Sequence, residues 1–142
     1  MPTTATRTFD CARIVPLEES LVLDVRLKPS TTYQKGSLIG EISGSRGLFA
    51  DYASGNVDGT ETPKAILPYA CATDSAGLIT FGDVSTGGEV QEKHQVAPAI
   101  FLGVVKTADL PQTGVGAIDA TAITNAGWKL LQGDAADGIL SL

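Results

Sequence analysis

His94 is the only histidine in the chain of 142 residues, so any Ser-His-Asp or Cys-His arrangement for nucleophilic catalysis has to include it. It lies in the polar stretch 91–95, between a glycine turn and a long apolar segment, where a solvated loop histidine is expected. No GxSxG elbow or comparable nucleophile signature accompanies it. The sequence therefore predicts no catalytic residue, and we expect that the protein is not an enzyme.

Most of the carboxylates lie beside Gly, Ser or Thr in predicted turns, where an Asp side chain also closes the turn. They are Glu18, Glu19, Asp51, Asp58, Glu61, Asp83, Glu89, Asp134 and Asp137. The two cysteines, Cys11 and Cys71, are far apart and form no CxxC spacing, so a disulfide between them has no support. We expect surface roles for the carboxylates, and we predict neither a metal site nor a cofactor.

Two glycine-containing segments have a superficial likeness to binding or sorting motifs. Residues 44–47, GSRG, fit neither GxxxxGK[ST] nor GxGxxG, so nucleotide binding is not predicted. Residues 110–114, LPQTG, match the LPxTG pentapeptide that transpeptidases cleave on some bacterial surfaces. That signal needs a following apolar segment and a basic C-terminal tail, whereas a predicted helix follows here. We interpret the match as a Pro/Gly turn.

The composition of the chain indicates which classes of partner the protein can bind. The formal net charge is -6, so the protein repels phosphates and we expect no nucleic acid partner. Charged residues make up only 18% of the chain, which leaves a surface of Thr, Ser, Gly and Ala that suits contact with another protein. The longest apolar run, residues 96–105, contains a proline and is too short to span a membrane. No secretory leader is visible, so we expect synthesis in a cytoplasm and no membrane contact.

The elements that position these residues are predicted to be mostly strands. Residues 21–27 alternate apolar and polar side chains with a period of two, which places one face of a strand in a core. Short strands are expected at 37–42 and 48–52, and two more at 65–71 and 78–81 around a turn at 74–77. Residues 96–105 should form a buried central strand, and 128–131 and 138–142 should form two closing strands. Pro68 indicates a sheet edge or a bulge.

One short helix is predicted in the C-terminal half. Asp119 is a good N-cap, residues 120–126 tolerate a helix, and Gly127 stands where a left-handed terminating residue belongs. Trp128 would then contact Ile123 on the last turn. We therefore expect Trp128 to be a core residue.

The first 19 residues differ from the rest of the chain. They are rich in Thr, their apolar positions are scattered, and Pro16 disfavours a regular helix or a central strand. We predict an extended N-terminal arm at residues 1–19 and a single β-rich domain at residues 20–142. The composition alone favours a frayed terminus over a functional arm.

The order of several motifs resembles that of the lambda-type head decoration proteins of tailed bacteriophages. The motifs are KGSLIGEI at 35–42, the DGTE turn at 58–61 and AIL at 65–67. The resemblance continues through FLGVV at 101–105 and from Ile118-Asp119 to Gly127-Trp128, so it spans roughly residues 20–133. Two features depart from the family: the chain is longer than its shortest members, and Trp128 stands where a smaller aliphatic residue is common.

The resemblance implies a small, β-tulip-like barrel with one short helix and an extended arm. It implies a homotrimer that binds the outer surface of the expanded head at three-fold and quasi-three-fold positions and stabilises it against the pressure of packaged DNA. The partners would be the major capsid protein and other copies of this chain, and the location would be the outside of the virion. The arm would bind the capsid by adding a strand to its protein. The capsid-binding residues would be Thr4, Thr6, Arg7, Phe9, Arg13 and Ile14.

Two alternatives belong to other functional classes. The first is a surface-anchored or pilus-type β subunit that uses the LPQTG segment, which requires an exported precursor. The second is an enzyme with a small barrel site around Asp51, Asp58 or His94, which requires a pocket with a perturbed carboxylate. The sequence favours the decoration protein over both.

Overall fold

The computed structural model describes residues 21–82, 92–131 and 138–141. These residues contain strands, a 3-10 helix at Thr107–Asp109 and one α-helix, so the protein is mostly β, as the sequence predicts. The strands are β1 Leu21–Leu27, β2 Thr32–Tyr33, β3 Leu38–Glu41, β4 Leu48–Asp51, β5 Ala65–Ile66, β6 Cys71–Thr73, β7 Ile79–Phe81, β8 Ala97–Lys106, β9 Lys129–Leu131 and β10 Gly138–Ser141. The helix, α1, is Ala120–Asn125.

Five strands close into a barrel in the order β1-β4-β3-β5-β8, because β8 pairs again with β1. The β1–β4 pair is parallel, and the other four pairs are antiparallel. The last four residues of β8 leave the barrel and pair with β10, which in turn pairs with β9. A separate three-stranded sheet has the order β2-β6-β7. The predicted small barrel is confirmed.

Two apolar cores lie on the two faces of the barrel wall. The alternation in β1 places Val25 and Leu27 inside the barrel, where they pack with side chains such as Phe49 and Ile79. Ile100 of β8 faces the other way, into a second cluster that includes Ile123 of α1 and Trp128. The expected core position of Trp128 is confirmed.

The short helix has the caps that its sequence indicates. The Asp119 carboxylate accepts hydrogen bonds from the backbone N–H groups of Thr121 and Ala122. Gly127 has φ 91°, and its N–H donates to the Thr124 carbonyl, while the Trp128 N–H donates to the Ile123 carbonyl. These two bonds form a Schellman motif, which satisfies carbonyl groups of the last helical turn.

The predicted strand at 65–71 is wrong as a single element. The structure divides it into β5, which belongs to the barrel, and β6, which belongs to the small sheet, with Pro68 between them. Proline lacks the N–H group that a continuous ladder requires, so the chain changes sheets at this point. Thr32 and Tyr33, which lie in none of the predicted strands, form β2 by pairing with β6.

Candidate functional site

The start of β1 carries three consecutive exposed apolar side chains. The exposed fractions of Leu21, Val22 and Leu23 are 46%, 45% and 47%, although all three lie in a strand. Residues 21–25 pair with β8 on one side, and β4 joins the other side of β1 only at Arg26. No described strand pairs with that side of residues 21–25, which we name the β1 edge. Edges of this kind are templates for strand addition.

The β1 edge continues the inner core of the barrel into solvent. Leu23 lies on the same strand face as Val25, which is 4% exposed, and it stands opposite the fully buried Ala99. Leu21 stands opposite Leu102, which is itself 37% exposed. The apolar row is therefore covered at one end of the strand and uncovered at the other. Such a patch indicates a contact surface.

The predicted capsid-binding residues precede this edge in the chain. Thr4, Thr6, Arg7, Phe9, Arg13 and Ile14 all lie outside the described residues, as does Cys11. The described chain begins at Leu21, so the predicted arm joins the domain at the β1 edge itself. The alternation at residues 21–27 predicts an ordinary half-buried strand and does not predict this open edge. Leu21-Val22-Leu23 is a run of three apolar residues within the alternating strand, which was the available signal.

Asp51 is the one polar side chain of β4 that faces the barrel interior. It lies opposite Ile39 and two residues after Phe49, both of which are buried in the inner core. Burial raises the pKa of Asp51 to about 6, and the Ser37 hydroxyl beside it lowers that pKa in part. Even so, neither Asp51 Oδ1 nor Ser37 Oγ reaches a hydrogen-bond partner in the described structure, although both atoms are buried. The expected surface role of Asp51 is wrong.

The backbone at Gly116 closes over this carboxylate. The Leu38 N–H donates to the Gly116 carbonyl and the Gly116 N–H donates to the Tyr52 carbonyl, each at 2.8 Å. A Cβ atom on Gly116 would lie 2.8 Å from Asp51 Oδ1, so no substrate-sized space exists on this side of the carboxylate. Asp51 has the perturbed pKa that a catalytic site would need, but this packing restricts access to it.

The cavity beside α1 is lined by polar groups that already serve the fold. It has a volume of about 360 Å³ and is bordered by Tyr52, Glu61 and Asp119, among others. The Tyr52 hydroxyl donates to Asp119 at 2.6 Å, and Asp119 also caps the helix. The hydrogen bond from Tyr52 and those from the helix N–H groups lower the pKa of Asp119. Glu61 accepts from the Gly59 N–H, so both carboxylates are engaged in structural hydrogen bonds.

Asp58 and Asp74 occupy turns, as the sequence predicts for carboxylates next to Gly, Ser or Thr. Asp58 accepts hydrogen bonds from the backbone N–H and the hydroxyl of Thr60, and these bonds lower its pKa. Asp74 accepts from two N–H groups of the β6–β7 turn and forms an ion pair with Lys93 at 3.0 Å. The carboxylates of Asp58 and Asp74 therefore stabilise the turns that contain them.

His94 has a structural role in the described residues. Its backbone N–H and carbonyl both bond to Ile79, which makes it a one-residue bridge beside β7. Its ring lies 5.2 Å from the ring of Phe81. The histidine is therefore anchored at the edge of the small sheet and is not a freely solvated loop residue.

The LPQTG segment is folded into the protein. Leu110 is 3% exposed and belongs to the second apolar core, and the Gln112 amide donates to the carbonyls of Thr107 and Leu110. Thr113 and Gly114 are exposed. A transpeptidase that binds the leucine side chain would first have to extract it from the core, so this geometry counts against the anchored-subunit alternative.

Cys71 carries a free, buried thiol, and burial raises its pKa to about 12. The described residues hold no group of three or more His, Cys, Asp and Glu side chains that could bind a metal ion. None of the helices in the described part of the chain is long and apolar enough to cross a membrane. Comparisons of the chain with protein-family models, curated proteins and solved structures find no match.

Proposed function

We propose that this protein is a head decoration protein of a tailed bacteriophage. It binds the outer surface of the expanded capsid as a homotrimer at three-fold and quasi-three-fold positions, and it stabilises the shell against the pressure of packaged DNA. The major capsid protein is its partner. Residues 1–19 form the capsid-binding arm, with Thr4, Thr6, Arg7, Phe9, Arg13 and Ile14 as the contact residues.

The observation that carries this proposal is the role of the motif glycines in the barrel. Gly36 and Gly40 belong to the KGSLIGEI motif, and Gly59 belongs to the DGTE turn. A Cβ atom on Gly40 would lie 2.6 Å from the Thr62 carbonyl oxygen, and one on Gly36 would lie 2.9 Å from the Asp109 carbonyl oxygen. Gly59 has φ 102° and packs against Ser43. The glycines of these motifs therefore stand where segments of the barrel approach one another closely, and a shared architecture would require glycine at these positions.

The surface of the domain agrees with a protein that acts by contact. The β1 edge offers apolar side chains and an unpaired strand side at the point where the arm begins. The net charge of -6 disfavours attraction to the DNA inside the head. These features support binding to another protein, and the resemblance supplies the identity of that protein.

The stabilising effect follows from linkage. A trimer that binds the expanded shell and not the unexpanded one stabilises the expanded state by its binding free energy. Three arms on one trimer engage neighbouring capsid subunits together, so the first contact raises the effective concentration of the other two. Weak individual contacts therefore suffice to hold the trimer on the lattice.

The test is co-sedimentation with expanded heads of a lambda-type phage from which the resident decoration protein has been removed. The full chain should pellet with expanded heads but not with unexpanded ones, and light scattering should give three times the chain mass of 14.6 kDa. Deleting residues 1–19 should abolish pelleting, and so should a chain in which those residues are scrambled, which preserves the length and charge of the arm. Failure to pellet with any expanded head, or equal binding to both head forms, would refute the proposal.

A further inference from the structure

A loop at residues 111–117, which we name the strap, packs on the end of the β3–β4 pair. Its base is fixed, because Leu110 is buried in the second apolar core and the Ile118 N–H donates to the Pro111 carbonyl at 2.9 Å. Residues 112–115 are exposed. The strap is therefore held where it begins and where it ends, and most of the loop between these points faces solvent.

Gly116 joins the strap to the barrel. Its carbonyl accepts from the Leu38 N–H and its N–H donates to the Tyr52 carbonyl, while the Tyr52 N–H donates directly to the Leu38 carbonyl at 2.9 Å. The Gly116 backbone is thus inserted where the second bond of this antiparallel pair would lie. Within the described chain, the backbone of residues 112–117 makes no other hydrogen bond to the barrel. Opening the strap therefore breaks two hydrogen bonds, whose net worth is modest because water replaces them.

The same glycine covers two buried oxygen atoms. A Cβ atom on Gly116 would lie 2.8 Å from Asp51 Oδ1 and 3.0 Å from Ser37 Oγ. Ser37 is fully buried, and neither oxygen has a hydrogen-bond partner in the described structure. A charge on Asp51 is therefore placed against the strap without a partner, and an unpaired buried charge is costly.

We propose that the strap is a pH-dependent cover: it is closed over Asp51 while this carboxyl group is protonated, and it opens in a growing minority of molecules once the carboxylate is charged. The strap is the neighbour that yields, because the other elements around Asp51 are strands held in paired ladders. Opening admits water to the carboxylate while the barrel stays folded. This inference goes beyond the proposed function and does not depend on it.

The groups that face Asp51 do not offset its charge. Tyr33 on β2 and Cys71 on β6 are titratable, but burial raises the pKa of each, that of Cys71 to about 12, so both are neutral near pH 7. Ser37 and Gly116, which face it from the start of β3 and from the strap, carry no charge. Burial raises the pKa of Asp51 to about 6. Because the closed form binds the proton more tightly than the open form, closure is favoured at low pH, and opening increases as the pH rises through about 6.

Hydrogen exchange of the full chain, followed by NMR at the Gly116 and Leu38 amides, tests the cover. Between pH 4.5 and 7.5 their protection factors, corrected for the intrinsic exchange rate, should fall by roughly tenfold in the wild type. In Asp51→Asn they should stay constant. Asp109→Asn removes an exposed carboxylate just before the strap and should behave as the wild type does. Constant protection in the wild type, or the same fall in Asp51→Asn, would overturn the inference.

Low concentrations of urea separate opening of the strap from unfolding of the whole domain. A local opening exposes little surface, so exchange of the Gly116 amide should hardly respond to urea below the unfolding transition. The Ile79 N–H, which donates to the His94 carbonyl, belongs to a fully buried residue, and its exchange should rise with urea. The same urea dependence at Gly116 and Ile79 would show that only global unfolding exposes the strap, which would contradict the proposal.

A second variant opens the cover without changing any charge. The Cβ atom of Gly116→Ala would meet Asp51 Oδ1 at 2.8 Å, and the φ of 74° at this position is strained for alanine. The Leu38 amide of Gly116→Ala should therefore exchange rapidly already at pH 4.5. A Leu38 amide that is as protected as in the wild type would show that Gly116 does not hold the cover closed.

Discussion

Replacing Asp51 by Asn should remove a pH-dependent loss of stability. Burial inside the barrel raises the pKa of Asp51 from 3.8 to about 6. Because the folded-state pKa is raised, the contribution of this group to stability is fully present below pH 3.8 and is lost as the pH rises through about 6. Above that pH the native barrel holds a buried carboxylate whose Oδ1 has no hydrogen-bond partner in the described structure.

The size of the effect follows from the two pKa values. At 1.36 kcal/mol for each pKa unit, the difference between 3.8 and about 6 corresponds to about 3 kcal/mol. The carboxylate is not fully enclosed, and solvent screening reduces this figure to about 2 kcal/mol. The groups that face it stay neutral over this range, because burial raises the pKa of both Tyr33 and Cys71. They do not offset the charge.

The assay is urea unfolding at several pH values between 4.5 and 7.5. The wild-type free energy of unfolding should fall by up to about 2 kcal/mol across this range relative to Asp51→Asn. Comparing the two slopes cancels every titration that both proteins share. Asp109→Asn removes an exposed carboxylate and is the matched control, which should keep the wild-type slope. An Asp51→Asn protein with the wild-type slope would refute the assignment of a buried, charged Asp51.

Three further predictions concern the fold. Gly40→Ala should destabilise the protein by about 1–3 kcal/mol in urea unfolding, because its Cβ would meet the Thr62 carbonyl oxygen at 2.6 Å, whereas Gly55→Ala, in open space, should not. Asp119→Ala should cost about 1–2 kcal/mol by removing the N-cap and the Tyr52 contact, and a loss confined to pH values below about 4 would contradict this. Ile123→Ala should lower the free energy of unfolding by about 2–4 kcal/mol, and a change under 1 kcal/mol would contradict its full burial.

The sequence predicts the elements that local chemistry determines. The period-two alternation identifies β1, and Asp119, Gly127 and Trp128 identify the helix together with both of its ends. These features depend on residues a few positions apart. A short stretch of sequence is therefore enough to predict this strand and this helix.

Barrel closure and the interior position of Asp51 depend on distant segments. The parallel pairing of β1 with β4 joins Arg26 to Leu48, and no local pattern specifies that partner. Asp51 looks like a turn residue because Tyr52 and Ala53 lead into a loop, yet its place two residues after Phe49 puts it on the inner face once the strand is paired. Residue type alone therefore predicted its environment wrongly, whereas the strand period would have predicted it correctly.

The described residues engage their polar side chains in holding loops and caps, and they leave a strand edge open. Asp58, Asp74 and Asp119 each accept two or more hydrogen bonds from the chain around them, so these carboxylates fix turns and a helix end. The β1 edge, in contrast, presents backbone groups and apolar side chains that any extended peptide of matching pattern can pair with. Recognition at such an edge depends on register and shape.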